Sequence, residues 1–180
     1  MKSFHYKIFL ITFLFLISAG CKKNYNISNK QEILFQFDYV NYAWGYQHNG
    51  FIIDKEGDIL TYNNPEIWNF PDKDFALSAD QVNENIGYCL HSGKKISKAE
   101  LQKHTNYIKN IASSKVTAPK NVAADAGSSE FICYQFSENT GIYKSYIIKT
   151  EGDFSSENLN FYSKKVFLWM RTINNSLPKK

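Results

Sequence analysis

The side chains in this sequence that could do nucleophilic, acid–base or metal chemistry are few and widely spaced: three cysteines and four histidines in 180 residues. Nucleophilic catalysis would need a thiol or hydroxyl beside a base. The candidates are Cys89 or Cys133 with His91 or His104, or a serine of the Gly127-Ser128-Ser129-Glu130 stretch with a histidine and Asp125. None stands in a recognisable setting such as a G-x-S-x-G elbow, and Cys89-x-His91 reads as a coincidence of spacing. No catalytic set is expected. Metal chemistry has as little support, because no H-x-x-x-H or C-x-x-C spacing occurs. Asp54, Glu56 and Asp58 alternate like the opening of a calcium loop. Gly57 is out of place for an EF-hand, however, and no bidentate glutamate follows at the right distance, so the segment is expected to be a hairpin turn. No metal or cofactor is expected.

The most suggestive binding feature is aromatic. Tyr42, Trp44 and Tyr46 alternate through an expected strand, which places three rings on one face. Such a platform can stack a sugar or anchor a protein partner, with Asn41, Gln47, His48 and Asn49 as a polar rim. The competing reading is a core stripe beneath a helix, the usual position of aromatics at period two.

The elements that must position these residues follow from pattern and punctuation. Ile33 to Tyr62 reads as a meander of strands, turning at Asn49-Gly50, whose residues accept the positive φ of a type I′ turn, and again at Glu56-Gly57. Apolar residues sit first at odd positions (Ile33, Phe35, Phe37, Tyr39) and then at even ones (Val40, Tyr42, Trp44, Tyr46). That switch needs either a strand covered on both faces or a bulge near Tyr39-Val40, and the bulge is preferred. Ser78 caps a helix with Val82, Ile86, Cys89 and Leu90 on one face and Gly93 as its stop. Ser97 and Glu100 have capping-box spacing ahead of Leu101, His104, Ile108 and Ile111. These two helices are expected to form an α-hairpin on the sheet. Residues 115–130 read as a loop broken by Pro119 and Gly127. Two strands joined through Glu138-Asn139-Thr140-Gly141 follow, and then a helix over 156–173, apolar enough to be buried on more than one side. The fold class is α+β: an antiparallel sheet, made of an N-terminal meander and a later hairpin, packed by a central helical pair and a C-terminal helix.

At the N-terminus, Lys2 and Lys7 precede an apolar run from Ile8 to Ile17. A membrane-crossing helix needs about 20 such residues, so the run fits the shorter core of a signal peptide. The residues LISAG followed by Cys21 resemble the lipobox of bacterial lipoproteins. The resemblance covers the first 21 residues and departs from the pattern at Ser18, where that family generally has leucine. Ser18 and Gly20 also suit an ordinary signal peptidase, which makes plain secretion the alternative. The resemblance implies that residues 1–20 are removed as a signal peptide and that Cys21 carries the diacylglyceryl and palmitate-type chains of a membrane anchor. Residues 21–30 then serve as anchor and flexible tether. Lys22-Lys23 stands where outward-displayed lipoproteins carry an acidic cluster, so by that resemblance the domain is expected to face the periplasm, with the outer membrane as the expected membrane and the inner one as the alternative. With Cys21 lipidated, Cys89 and Cys133 remain as an even pair in an oxidising compartment, either bonded, as expected, or as two buried thiols.

Composition limits the function classes. Removing residues 1–20 takes away two lysines and no acid, which leaves 19 basic and 17 acidic residues; Arg171 is the only arginine. So mild a charge, with lysines scattered along the chain, excludes a nucleic-acid reading. Residues 31–180 suffice for a single globular domain with its own core. The leading expectation is a membrane-tethered protein-binding module, most specifically an immunity or inhibitor lipoprotein that neutralises a toxic enzyme. A glycan-binding or cell-envelope component is the alternative, and a hydrolase stands third.

Overall fold

The structure is a computed structural model and describes residues 27–178. In chain order the elements are β1 (Ile33–Asn41), β2 (Gln47–Asp54), β3 (Asp58–Asn63), β4 (Ala76–Ser78), α1 (Ala79–Gly87), β5 (Leu90–Lys95), α2 (Lys98–Thr105), α3 (Ile108–Ala112), β6 (Lys120–Asn121), β7 (Ser128–Ser137), β8 (Ile142–Gly152), β9 (Phe154–Glu157) and α4 (Phe161–Ser176). The strands form one antiparallel sheet in the order β5-β3-β2-β1-β7-β8-β9-β6, with β4 also paired to β8. This is an α+β fold. The meander is β1-β2-β3 and the later hairpin is β7-β8.

Central strand β1 explains the architecture. Phe35 lies opposite Ile53 and Cys133, and Phe37 opposite Phe51 and Phe131. These odd-numbered side chains meet Leu101, Ile108, Ile111, Val166, Met170 and Ile173 of α2, α3 and α4. Gln36 lies between Ile52 and Ile132 on the opposite face. There Ile52, Leu60, Ile132, Tyr134 and Tyr143 pack under Leu77 and Val82, at the start of α1. The sheet therefore separates two cores. Each fully buried Phe, Ile or Leu contributes about 1.5–3 kcal/mol.

Local signals hold where the chemistry is local. Ser78 caps α1 with a complete capping box to Gln81. Ser97 accepts from the Glu100 amide, but the Glu100 carboxylate is taken by Trp169 Nε1 at 2.7 Å. At the β2–β3 turn Gly57 has φ +86°, and Asp54 Oδ1 accepts from the Glu56 and Asp58 amides at 2.9 and 2.8 Å. The Asp54 carboxylate therefore builds the turn.

Six expectations are corrected. Register through β1 runs unbroken from Phe35 to Asn41, so the strand has no bulge near Tyr39-Val40; the shift lies between Ile33 and Phe35, and the strand is covered on both faces. Asn49-Gly50 lies inside β2, opposite Tyr39 and Asp38. The first central helix ends at Gly87, because residues 90–95 pair with the open edge of β3 as β5. The two central helices are both present on the sheet but on opposite faces, so they do not form a hairpin. Residues 154–157 are strand β9, and α4 begins at Phe161, after Asn160 caps it through the Tyr162 amide. That helix buries one face only: Val166 and Met170 are fully enclosed, whereas Phe161 and Leu168 are exposed. Among the described residues no helix is long and apolar enough to cross a membrane.

His104 sits in the helix-side core, its ring stacked on Trp169 at 4.0 Å and 5°. Burial pushes its pKa down to about 4, and neighbouring Lys103 acts in the same direction. Protons therefore bind the unfolded chain more readily, and the stability due to neutral His104 is lost as pH falls from about 6.5 towards 4. Urea unfolding across this range should show that loss. His104→Phe, which keeps a ring on Trp169, should flatten the curve by up to about 3 kcal/mol.

Candidate functional site

Residues 42–46, Tyr-Ala-Trp-Gly-Tyr, connect β1 to β2 and form the tip of that hairpin. Gly45 has φ +93°, a conformation that favours glycine in so tight a connection. The tip is tied down from below. Asn41 Oδ1 accepts from the Ala43 amide at 2.8 Å, and Asn41 Nδ2 donates to Tyr39 Oη and to the Asp125 carbonyl. Tyr39 Oη in turn donates to the Ala126 carbonyl. Above this base Tyr42, Trp44 and Tyr46 are 73 %, 78 % and 46 % exposed. The three rings therefore project from a loop instead of lying along a strand, and the core-stripe reading fails. Tyr42 and Tyr46 pack on each other at 5.4 Å.

His48 is not a rim residue. It is fully buried, and its Nε2 lies 2.8 Å from Asp38 Oδ1. The same carboxylate oxygen accepts from Tyr62 Oη at 2.5 Å and from Gln36 Nε2 at 3.3 Å, while Tyr134 Oη donates to Gln36 Oε1 at 2.7 Å. Rings close over the histidine: Tyr62, Trp68 and Phe70 lie 5.1–5.2 Å from it and Tyr46 lies 6.1 Å away. An unbroken aromatic path thus leads from the exposed tip to a buried carboxylate. Burial, and then the Asp38 charge, holds the Tyr62 and Tyr134 hydroxyls well above the ordinary tyrosine pKa. Glu130, opposite Asp38 across β1 and β7, is raised by the same two causes.

This network explains why Asn-Gly is not a turn. Tyr62 reaches across Gly50 to the Phe37 carbonyl and to Asp38, and a Cβ at position 50 would fall 2.0 Å from Phe37 O and 2.5 Å from Tyr62 Oη. Glycine is required there by close approach of another chain segment, which is its second common use.

An Asp–His pair with one imidazole nitrogen unengaged is the arrangement that orients a general base. Here His48 Nδ1 has no hydrogen-bond partner and is enclosed by rings. The geometry makes the pair a strut beneath the tip. The other expected sets are dispersed. Cys89 and Cys133 are free thiols on opposite faces of the sheet, so the expected disulfide does not form. Cys89 Sγ donates to the Asn85 carbonyl, and burial pushes its pKa up to about 12, which leaves it a poor nucleophile at neutral pH. His91 is exposed on β5, His104 is in the helix-side core, and Asp125 lies in the loop before β7. Ser128 and Ser129 lie within β7 itself. Cys21 and its lipobox lie outside the described residues.

Asp38, Tyr62, Trp68 and Phe70 escape a search for chemical motifs. One signal was available: Gln36 and Asp38 occupy the even positions of a strand whose odd positions are Phe35, Phe37 and Tyr39. Two polar residues in step there mark a second, polar face. Comparison with protein-family models, with curated proteins and with solved structures finds no match to this chain.

Two substitutions test the strut. Tyr62→Phe removes a donor from a buried carboxylate and should cost about 1–3 kcal/mol. Gly50→Ala must displace Tyr62 and the β1 backbone and should cost at least about 2 kcal/mol. Both are read as shifts in the urea midpoint.

Proposed function

We propose that this chain is an exported lipoprotein, anchored through Cys21 on the periplasmic side of the outer membrane, whose domain captures a protein partner with its aromatic tip. The observation that carries the reading is the exposure of Tyr42, Trp44 and Tyr46 on a hydrogen-bonded base, part-buried at Asn41 and buried at the His48–Asp38 pair. Large aromatic side chains exposed in one place, on a loop tied down before binding and without charged residues among them, have the composition of an interface hot spot. Fixing them beforehand lowers the ordering cost of association. The specific form we favour is an immunity or inhibitor lipoprotein. A tethered domain that blocks a toxic enzyme needs a rigid recognition surface and no chemistry of its own.

A glycan or cell-envelope ligand is the second reading. It is favoured by the amides at the foot of the tip, where Gln47 is exposed and Asn49 half-exposed. Amide groups beside stacked rings suit sugar hydroxyls.

Two experiments check the proposal. The wild-type domain should enrich a protein from the native envelope fraction, and Trp44→Ala should weaken that interaction by about thirtyfold, the effect of losing a 2 kcal/mol anchor. Stability should stay within about 0.5 kcal/mol, because the ring is exposed. Enrichment indifferent to Trp44, or capture by polysaccharide fractions in place of protein, counts against the protein-binding reading. For the anchor, Cys21→Ser should move the chain from the membrane to the soluble fraction.

A further inference from the structure

The outer face of α4 is chemically unlike the rest of the surface. Phe161, Lys164, Lys165, Leu168 and Arg171 recur at three and four residues along the helix, and all five are exposed, with Phe161 at 72 % and Leu168 at 50 %. Lys165 Nζ lies 4.7 Å from the centre of the Phe161 ring, so cation and ring form one surface. Residues 161–176 contain no acid. Arg171 lies 4.0 Å from Glu151, with both side chains well exposed, and its guanidinium sits 5.7 Å over the Phe167 ring. The helices beside α4 extend the charge: α2 and α3 add exposed Lys98, Lys103 and Lys109, against Glu100, which already accepts from Trp169. Five lysines and Arg171, from three helices separate in sequence, thus share the helical layer.

The N-terminal end of the described chain is in the same layer. Ile27 packs against the helix-side core. Six residues lead from Cys21 to Ile27, and at about 3.5 Å per residue they can span at most roughly 20 Å. A lipid on Cys21 therefore holds this layer close to a bilayer.

We propose that α4, with the cations of α2 and α3, docks on an anionic phospholipid surface. Phe161 and Leu168 enter the headgroup boundary, and the lysines pair with lipid phosphates. A helix with a basic and apolar outer face has the composition of an interfacial helix, and each lysine near an anionic surface strengthens binding about fivefold. Docked in this way the domain turns its α1 face, with the Tyr46–His48 stack, away from the membrane. The proposal uses the lipid-anchor reading only for the distance bound.

Both cores are built from residues 27 onward, so the test uses the chain from residue 21 with Cys21→Ser, which has no lipid. It should sediment with vesicles of phosphatidylcholine plus phosphatidylglycerol and not with phosphatidylcholine alone. Lys164→Glu combined with Lys165→Glu should weaken binding more than about tenfold, with thermal unfolding unchanged because both side chains are exposed. Phe161→Ser combined with Leu168→Ser should weaken binding as well. No sedimentation with the anionic vesicles, or binding undiminished by either pair, overturns the proposal. Binding to duplex DNA as strong as to vesicles overturns it too, since that would mark a general polyanion face. Failure here leaves the anchor untouched, because the anchor is tested by fractionation of the lipid-bearing chain.

Discussion

A carboxylate enclosed in a sheet is tolerated only when its lone pairs are met, and Asp38, 7 % exposed on the central strand, sets that demand. Three donors converge on one of its oxygens. Meeting the demand draws Tyr62 across β2, makes glycine necessary at position 50 and holds His48 in one orientation. It also gives Trp68 and Phe70 a surface to close over. A partly satisfied network would be worse than an apolar core, so these residues act as a unit. The end of the sheet from which Tyr42, Trp44 and Tyr46 project is therefore underlain by this network.

The second constraint is that β1 and its neighbours are covered on both faces. A sheet buried on two sides needs two layers, and here they differ in chemistry. The layer of α2, α3 and α4 carries the clustered cations and packs Ile27, the first described residue of the chain. The layer of α1 and residues 64–75 carries the aromatic and carboxylate network. The two proposed contacts, membrane and partner, thus use different parts of the fold, the outer helical layer and the β1–β2 tip at the end of the sheet. Neither contact needs the other to move.

How much was legible in the sequence depended on distance along the chain. The Ser78 and Ser97 caps, the Gly57 turn and the 138–141 turn each close over a few residues, so composition alone located them. Asn49-Gly50 misled because its glycine answers to Tyr62, twelve residues further on. The helix expected through Cys89 and Leu90 gave way to β5 because the edge of β3 offered backbone partners that no local pattern reveals. Cysteine parity suggested a bond, but the two thiols lie on opposite sides of the sheet, and parity contains no geometry.

The sequence by itself therefore determined the class of fold, the antiparallel meander and hairpin, the start of each central helix and the choice of Tyr42, Trp44 and Tyr46 as the aromatic group to watch. These follow from turn chemistry, caps and periodicity, which act between near neighbours. Only the tertiary structure decided that those rings are exposed, that His48 lies buried beneath them on Asp38, and that the lysines of three separate helices share one layer. Each of these depends on which segments the sheet brings together across tens of residues, and burial and electrostatic field are properties of that assembly.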